Sequence, residues 1–211
     1  MRIGKSRIIN VNRENGFAEG VHEARDVLLS GGVVAFPTES FYGLAVDPMN
    51  GQAVDRLFKI KKREPEQPIL ILIPCIETLD HYVAEMPEIA ETLIKRFWPG
   101  GLTLIFKAMP RISQRLTAGT GKIGVRLSSH PVATALAQSI NSPITGTSAN
   151  ISGYPACRSA GEVYDYFNKG VLILDGGETG GGKGSTIVDV TCSPPEIIRH
   201  GMIDSGQLGL I

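Results

Sequence analysis

Apolar positions recur along this chain in two rhythms, helical and alternating. Residues 19–32, EGVHEARDVLLSGG, set Val21, Ala24 and Leu28 on one helical face, and Gly31 or Gly32 can close that helix in the left-handed conformation. The run at 33–38, VVAFPT, reads as a buried strand. Residues 51–63, GQAVDRLFKIKKR, form a second amphipathic pattern with Val54, Leu57 and Phe58 inward. A strand follows at 69–73, ILILI. A helix follows at 87–98, opened by Pro87 and stopped by Pro99-Gly100-Gly101. LTLIFKA at 102–108 and IGVRLS at 123–128 predict strands, 130–140 a helix, and PITGTSA at 143–149 a strand. Residues 160–168 predict a helix, and 171–175, 185–190 and 196–200 three closing strands.

Strands and helices alternate through most of the chain, which predicts an α/β (mixed α+β) fold with a helix-covered sheet. The last three strands have no helix between them, so the sheet is expected to be mixed parallel and antiparallel. No composition break or repeat divides the 211 residues, so a single domain over 1–211 is the simplest organisation.

Composition narrows the function. Lysine plus arginine equals aspartate plus glutamate, 21 against 21, which argues against non-specific coating of nucleic acid; any anion site must be a local cluster. Cys75, Cys157 and Cys192 form no CxxC pair, and His22, His81, His130 and His200 lack ligand spacing, so no side-chain metal site is expected. Met1 to Asn15 carries basic residues without a following apolar stretch, which is not a secretory signal, and ILILI is too short to span a bilayer. A cytoplasmic protein without a membrane partner is expected.

The glycine-rich tract at 175–190, DGGETGGGKGSTIVDV, invites comparison with a phosphate-binding P-loop. Gly177, Gly182 and Lys183 fit G-x-x-x-x-G-K, but Gly184 stands where Ser or Thr would hold magnesium. The tract also runs into the β-branched STIVDV, not into a helix whose N-terminus could bind phosphate. It is therefore a loop between strands, either a plain connection or a cover over a ligand.

Polar residues cluster where elements end. The strand stops at Pro37-Thr38-Glu39-Ser40 and Tyr42-Gly43 then turns; open sheets gather ligands outside such strand ends, and Thr38 and Ser40 can equally hydrogen-bond the local backbone in a plain turn. The stripe Val54, Leu57, Phe58 continues at helical spacing onto Lys61, with Arg63 just beyond. A preference of cations for helix C-termini explains the charge but not its inward placement, and a phosphate site explains both. Arg126 lies in a strand, with Val125 and Leu127 facing the other side. It needs a carboxylate or phosphate, from a ligand or from a structural ion pair. Thr147-Ser148-Ala149-Asn150 ends a strand with neutral donors and acceptors.

Taken together, GGVVAFPTESFYGLAVD, Lys61-Lys62-Arg63, FWPGGLT, IGVRLSSHP, Ser148-Ala149-Asn150 with ISG, GSTIVD and IIRHG resemble the YrdC-like threonylcarbamoyl-AMP synthases. The order and spacing of these tracts carry the resemblance, over nearly the whole chain. It implies a twisted, mostly open mixed sheet with a deep concave cleft. The implied reaction joins L-threonine, bicarbonate and ATP into L-threonylcarbamoyl-AMP and pyrophosphate. A partner threonylcarbamoyl transferase then modifies tRNA, and weak direct RNA binding is a further expectation.

By the same resemblance, Lys61, Arg63, Ser148, Asn150 and Arg199 hold ATP, the first four being the catalytic set. Thr38, Arg126 and Ser185 hold threonine, with Arg126 gripping its carboxylate through two parallel hydrogen bonds. Mg2+ is expected on the phosphates rather than on protein side chains. No general base is evident. Leu72 departs from the family pattern, where many relatives have histidine near threonine; Glu64, Gly101 and Lys122 depart as well. The chain resembles the short form without an extra C-terminal domain. Two rival readings are a non-catalytic, double-stranded-RNA-binding module and a related carbamoyl-adenylate enzyme. The leading one requires Arg63 and Arg126 to open into one hollow.

Overall fold

The computed structural model describes residues 4–12 and 16–210. Residues 1–3, 13–15 and 211 lie outside it, so the domain expectation for 1–211 and the reading of the Met1–Asn15 tract extend partly beyond the described residues. In chain order the elements are β1 (Arg7–Asn10), α1 (Phe17–Leu29), β2 (Val33–Pro37), β3 (Tyr42–Ala45), α2 (Gly51–Lys61), β4 (Ile71–Leu72) and a 3-10 turn at Ile76–His81. Then come α3 (Glu88–Phe97), β5 (Leu102–Lys107), α4 (Gln114–Thr117), β6 (Lys122–Arg126), α5 (Pro131–Ser139), β7 (Ile144–Thr145) and β8 (Thr147–Ser148). The chain closes with α6 (Ala160–Tyr166), β9 (Val171–Asp175), β10 (Thr186–Asp189), β11 (Glu196–Arg199) and α7 (Ser205–Leu208).

The mixed α/β class is as expected, but the strands divide into two sheets. One has five strands in the order β1-β9-β2-β3-β8, the other six in the order β11-β10-β5-β6-β4-β7. Both mix parallel pairs, such as β2 with β9 and β5 with β10, and antiparallel pairs, such as β2 with β3 and β5 with β6.

The unbroken apolar run of β2 follows from burial on both faces. Val33 and Ala35 enter the larger core with α2 and α3, while Val34 and Phe36 enter a second core with Leu28 of α1 and Leu136 of α5. The six-stranded sheet alternates differently. Leu102, Leu104, Phe106, Ile123, Val125 and Val188 turn to the core. Thr103, Ile105, Lys122, Gly124, Arg126, Ile187 and Asp189 turn to a cleft.

Tyr42 and Gly43, expected as a turn, begin β3, paired to β2 across the bend at Thr38–Phe41. The strand expected at 143–149 is two strands in different sheets, with Gly146 at the crossing. The loop after β9 is likewise a crossing, from the five-stranded to the six-stranded sheet. Both crossings reach the cleft, through Gly146 to Ser148 and through Gly184 and Ser185.

Gly201 secures the second crossing. A Cβ there would overlap the backbone of Gly184, Ser185 and Thr186, which has no flexible side chain to move aside. Gly201→Ala should therefore destabilise the protein by about 2 kcal/mol, the scale of overpacking, and weaken any ligand bound by Ser185. Chemical denaturation checks the first effect and calorimetric titration the second.

Candidate functional site

The cleft has a volume of about 490 Å³ and opens between the two sheets. Its walls include Thr38, Arg63, Arg126, Ser148, Ser185 and Arg199, six of the eight expected site residues. Arg63 and Arg126, far apart in sequence, open into the same hollow. Gly43 and Gly124 keep it open: a Cβ on Gly43 would meet the Phe36 ring at 2.9 Å, and one on Gly124 would meet Leu70 at 3.1 Å.

Arg126 ends β6 with its side chain buried. Its Nε donates to the Gly100 carbonyl at 2.8 Å, and its Nη2 pairs with the Glu39 carboxylate. The structural ion pair that the sequence left open therefore exists. The Nε edge is used, and Nη1 has no hydrogen-bond partner among the described residues. A carboxylate can still be gripped by two bonds, but along the Nη1–Nη2 edge.

Arg199 donates through Nε and Nη2 to the Ser185 carbonyl at 3.1 and 2.8 Å, and through Nη2 to Ser185 Oγ at 3.0 Å. Thr103 Oγ1 donates to the same Ser185 Oγ at 2.9 Å, which fixes this hydroxyl from two sides. Burial first, and then the charge of Arg126, hold Arg199 below its ordinary pKa. Arg63 is also lowered by burial. Its guanidinium leans on the Gln67 and Pro68 carbonyls, at 3.2 and 2.8 Å. Lys122 forms a 2.7 Å ion pair with Asp189 farther along the cleft. Thr38 Oγ1 donates to the Phe41 carbonyl at 2.7 Å, closing its turn.

Lys61 and Asn150 stand behind the wall. The inward stripe placed Lys61 correctly in the interior, where it is only 1 % exposed. Its ammonium does not line the cleft. It donates to the Ser148 carbonyl at 2.5 Å, the Asn150 carbonyl at 2.9 Å and Asn150 Oδ1 at 3.4 Å. Burial, and then the charge of Arg63, lower its pKa from 10.5 to about 7. Asn150 accepts from Ser148 Oγ at 2.6 Å and donates to the Tyr154 carbonyl at 2.5 Å. The two residues brace the segment that presents Ser148.

The glycine-rich loop is docked by its backbone. Tyr42 Oη donates to the Gly177 carbonyl at 2.8 Å, Gly181 N to the Ser40 carbonyl at 2.7 Å, and Thr179 N to the Arg158 carbonyl at 2.9 Å.

Two contributors escaped the sequence reading. Glu39 lay within the polar tract between Thr38 and Ser40 without a role of its own. Thr103 is the one hydroxyl residue in the apolar strand LTLIF, a signal that could have marked it.

The Sua5/YciO/YrdC family model, described as telomere recombination, matches residues 26–201. The chain belongs to that family. A threonylcarbamoyl-AMP synthase of Pyrococcus abyssi is 40 % identical over 195 residues, covering 92 % of this chain and 57 % of the relative. The structure of P. abyssi Sua5 complexed with L-threonine superposes with a TM-score of 0.90 at 36 % identity, covering 98 % of this chain and 61 % of that one. Escherichia coli YciO superposes with a TM-score of 0.87 at 27 % identity, covering 96 % and 99 %. The chain spans only 49 to 57 % of the length of its first curated relatives. Among the described residues no helix is long and apolar enough to cross a membrane.

Proposed function

We propose that this chain, a single domain over residues 1–211, is an L-threonylcarbamoyl-AMP synthase acting in the cytoplasm. Carbon dioxide from bicarbonate adds to the amine of L-threonine, which gives up a proton and becomes a carbamate. A carbamate oxygen then attacks the α-phosphorus of ATP, the bond to the bridging oxygen breaks, and pyrophosphate leaves. A partner transferase would pass the threonylcarbamoyl group to tRNA, and any direct contact of this chain with RNA would be weak.

The observation that carries this reading is the convergence of three guanidiniums, Arg63, Arg126 and Arg199, with the hydroxyls of Thr38, Ser148 and Ser185 in one cleft. The reaction brings carboxylate, carbamate and triphosphate together, so fixed cations and donors serve it better than a nucleophile does. Thr38, Arg126 and Ser185 would hold threonine. Arg63, Ser148 and Arg199 would hold the nucleotide, with Lys61 and Asn150 bracing Ser148 from behind. That the P. abyssi relative was solved in complex with L-threonine supports an amino-acid ligand for this chain.

Magnesium would ride on the phosphate oxygens. The carboxylates lining the cleft or paired at its wall, Asp189 and Glu39, are engaged by Lys122 and Arg126, and no group of three or more His, Cys, Asp or Glu side chains among the described residues could hold a metal. Its contribution when bound is charge neutralisation on the phosphates.

The test is pyrophosphate release from ATP and bicarbonate, with mass spectrometry of the product formed from mixed amino acids. Threonine-dependent release with a threonylcarbamoyl-AMP mass is expected. Release that ignores threonine, or none at all, overturns the reading.

A further inference from the structure

The turn after β2 carries more than Thr38. Glu39 beside it is nearly buried, its side chain 12 % exposed, and its carboxylate faces Arg126. One oxygen pairs with Arg126 Nη2. The other accepts from Ser128 Oγ at 2.8 Å, Ser129 N at 2.5 Å and Ser129 Oγ at 3.0 Å. Burial by itself would raise this carboxyl's pKa, but the Arg126 charge and these hydrogen bonds hold it below the usual carboxylate range. The ion pair is thus anchored on the carboxylate side by the segment leading into α5 and on the arginine side by the Gly100 carbonyl. A guanidinium clamped at Nε and one Nη2 hydrogen cannot swing. Nη1 and the second Nη2 hydrogen remain to donate, on a residue that lines the cleft.

We propose that Glu39 is a positioning residue: its carboxylate fixes the Arg126 guanidinium so that the Nη1–Nη2 edge meets the carboxylate of the amino-acid substrate end-on. This role rests on the amino-acid adenylation reading above. It explains why a buried acid sits at the edge of an anion site: the acid occupies the side of the fork that the substrate does not use. One short turn therefore supplies Thr38 directly and sets Arg126 through Glu39. Through the Ser40 carbonyl on Gly181 N it also steadies the loop that ends at Ser185.

The experiment is steady-state pyrophosphate release by the full chain and by Glu39→Gln, Arg126→Lys and the double variant, using L-threonine and L-threonine amide, which lacks the carboxylate. Glu39→Gln should raise KM for L-threonine about tenfold, with kcat and KM for ATP within about twofold. The loss should shrink to within about twofold in the Arg126→Lys background, because lysine can pair with Glu39 but has no Nη1–Nη2 edge for Glu39 to aim. It should be absent with the amide. An unchanged KM for L-threonine, an additive double variant or an equal loss with the amide each overturns the role. If Glu39→Gln does not fold, Ser129→Ala removes one hydrogen bond from the carboxylate and should raise the same KM about two- to threefold; no rise overturns the role. A wild-type chain without threonine-dependent release overturns the adenylation reading and this role with it, whereas an active wild type with an indifferent Glu39→Gln overturns this role alone.

Discussion

Arg126→Lys should lower kcat/KM for L-threonine by roughly 10- to 150-fold, the scale of losing a charge-assisted hydrogen bond, about 1.5–3 kcal/mol, to the substrate's bound carboxylate. Lysine keeps the charge and can still pair with Glu39, so no carboxylate is stranded in the interior. It cannot donate to the Gly100 carbonyl, to Glu39 and along a free two-donor edge at the same time, as the guanidinium does. KM for ATP should move by no more than about threefold, because the expected nucleotide contacts lie on Arg63, Ser148 and Arg199. Steady-state kinetics with each substrate varied in turn would decide it. Equal loss on both substrates would remove Arg126 from the amino-acid end of the cleft. Arg126→Ala is the poorer probe, since an unpaired buried Glu39 would itself destabilise by about 3–5 kcal/mol.

Lys61→Met is expected to lower stability by about 3 kcal/mol near pH 7, by leaving the buried Ser148 and Asn150 carbonyls without their hydrogen-bond donor. For a chain of this size that corresponds to a melting temperature roughly 6–12 °C lower, readable by calorimetry. The pH dependence has a definite sign. Burial, and secondarily the charge of Arg63, bring Lys61 from 10.5 to about 7 in the folded chain. Between those values the unfolded chain binds the extra proton, so this group makes stability rise with pH. The stability gap between wild type and Lys61→Met should widen from pH 7 towards pH 10. A gap that is flat or shrinking there would show that the ammonium keeps its proton. Activity should fall as well, with the effect on ATP, because the braced segment presents Ser148.

The residues that could be read from sequence are those whose position broke a local rule. Lys61 broke an apolar stripe, and Arg126 interrupted a strand of alternating pattern. Period alone assigned both their sides, and the structure agrees. The glycine tract was separated from a P-loop because β-branched residues follow it, and β10 does begin there. What could not be read depended on pairing between distant segments. β4, β7 and β8 have two residues each, too few to carry a period, so their division between two sheets left no local trace. β3 looked like a turn because Gly43 interrupts it, yet that glycine is what lets β3 lie against the Phe36 ring. Glu39 was hidden because its meaning lies with Arg126 and Ser129, about ninety residues away. Lys61 and Asn150 were expected to hold ATP; they lie outside the cleft lining and brace the segment that carries Ser148, a placement that no spacing rule encodes.

The division into two sheets bears on how this molecule would respond to its ligands. Thr38 and Ser148 belong to the five-stranded side, Arg126, Ser185 and Arg199 to the six-stranded side. An amino acid touching Thr38 and Arg126 therefore fastens one layer to the other, as a rivet joins two plates. Occupancy would add a second fastening beside the one that Glu39 and Arg126 already make, and whatever loosens one layer against its neighbour slackens the grip on substrate without altering a single contacting atom.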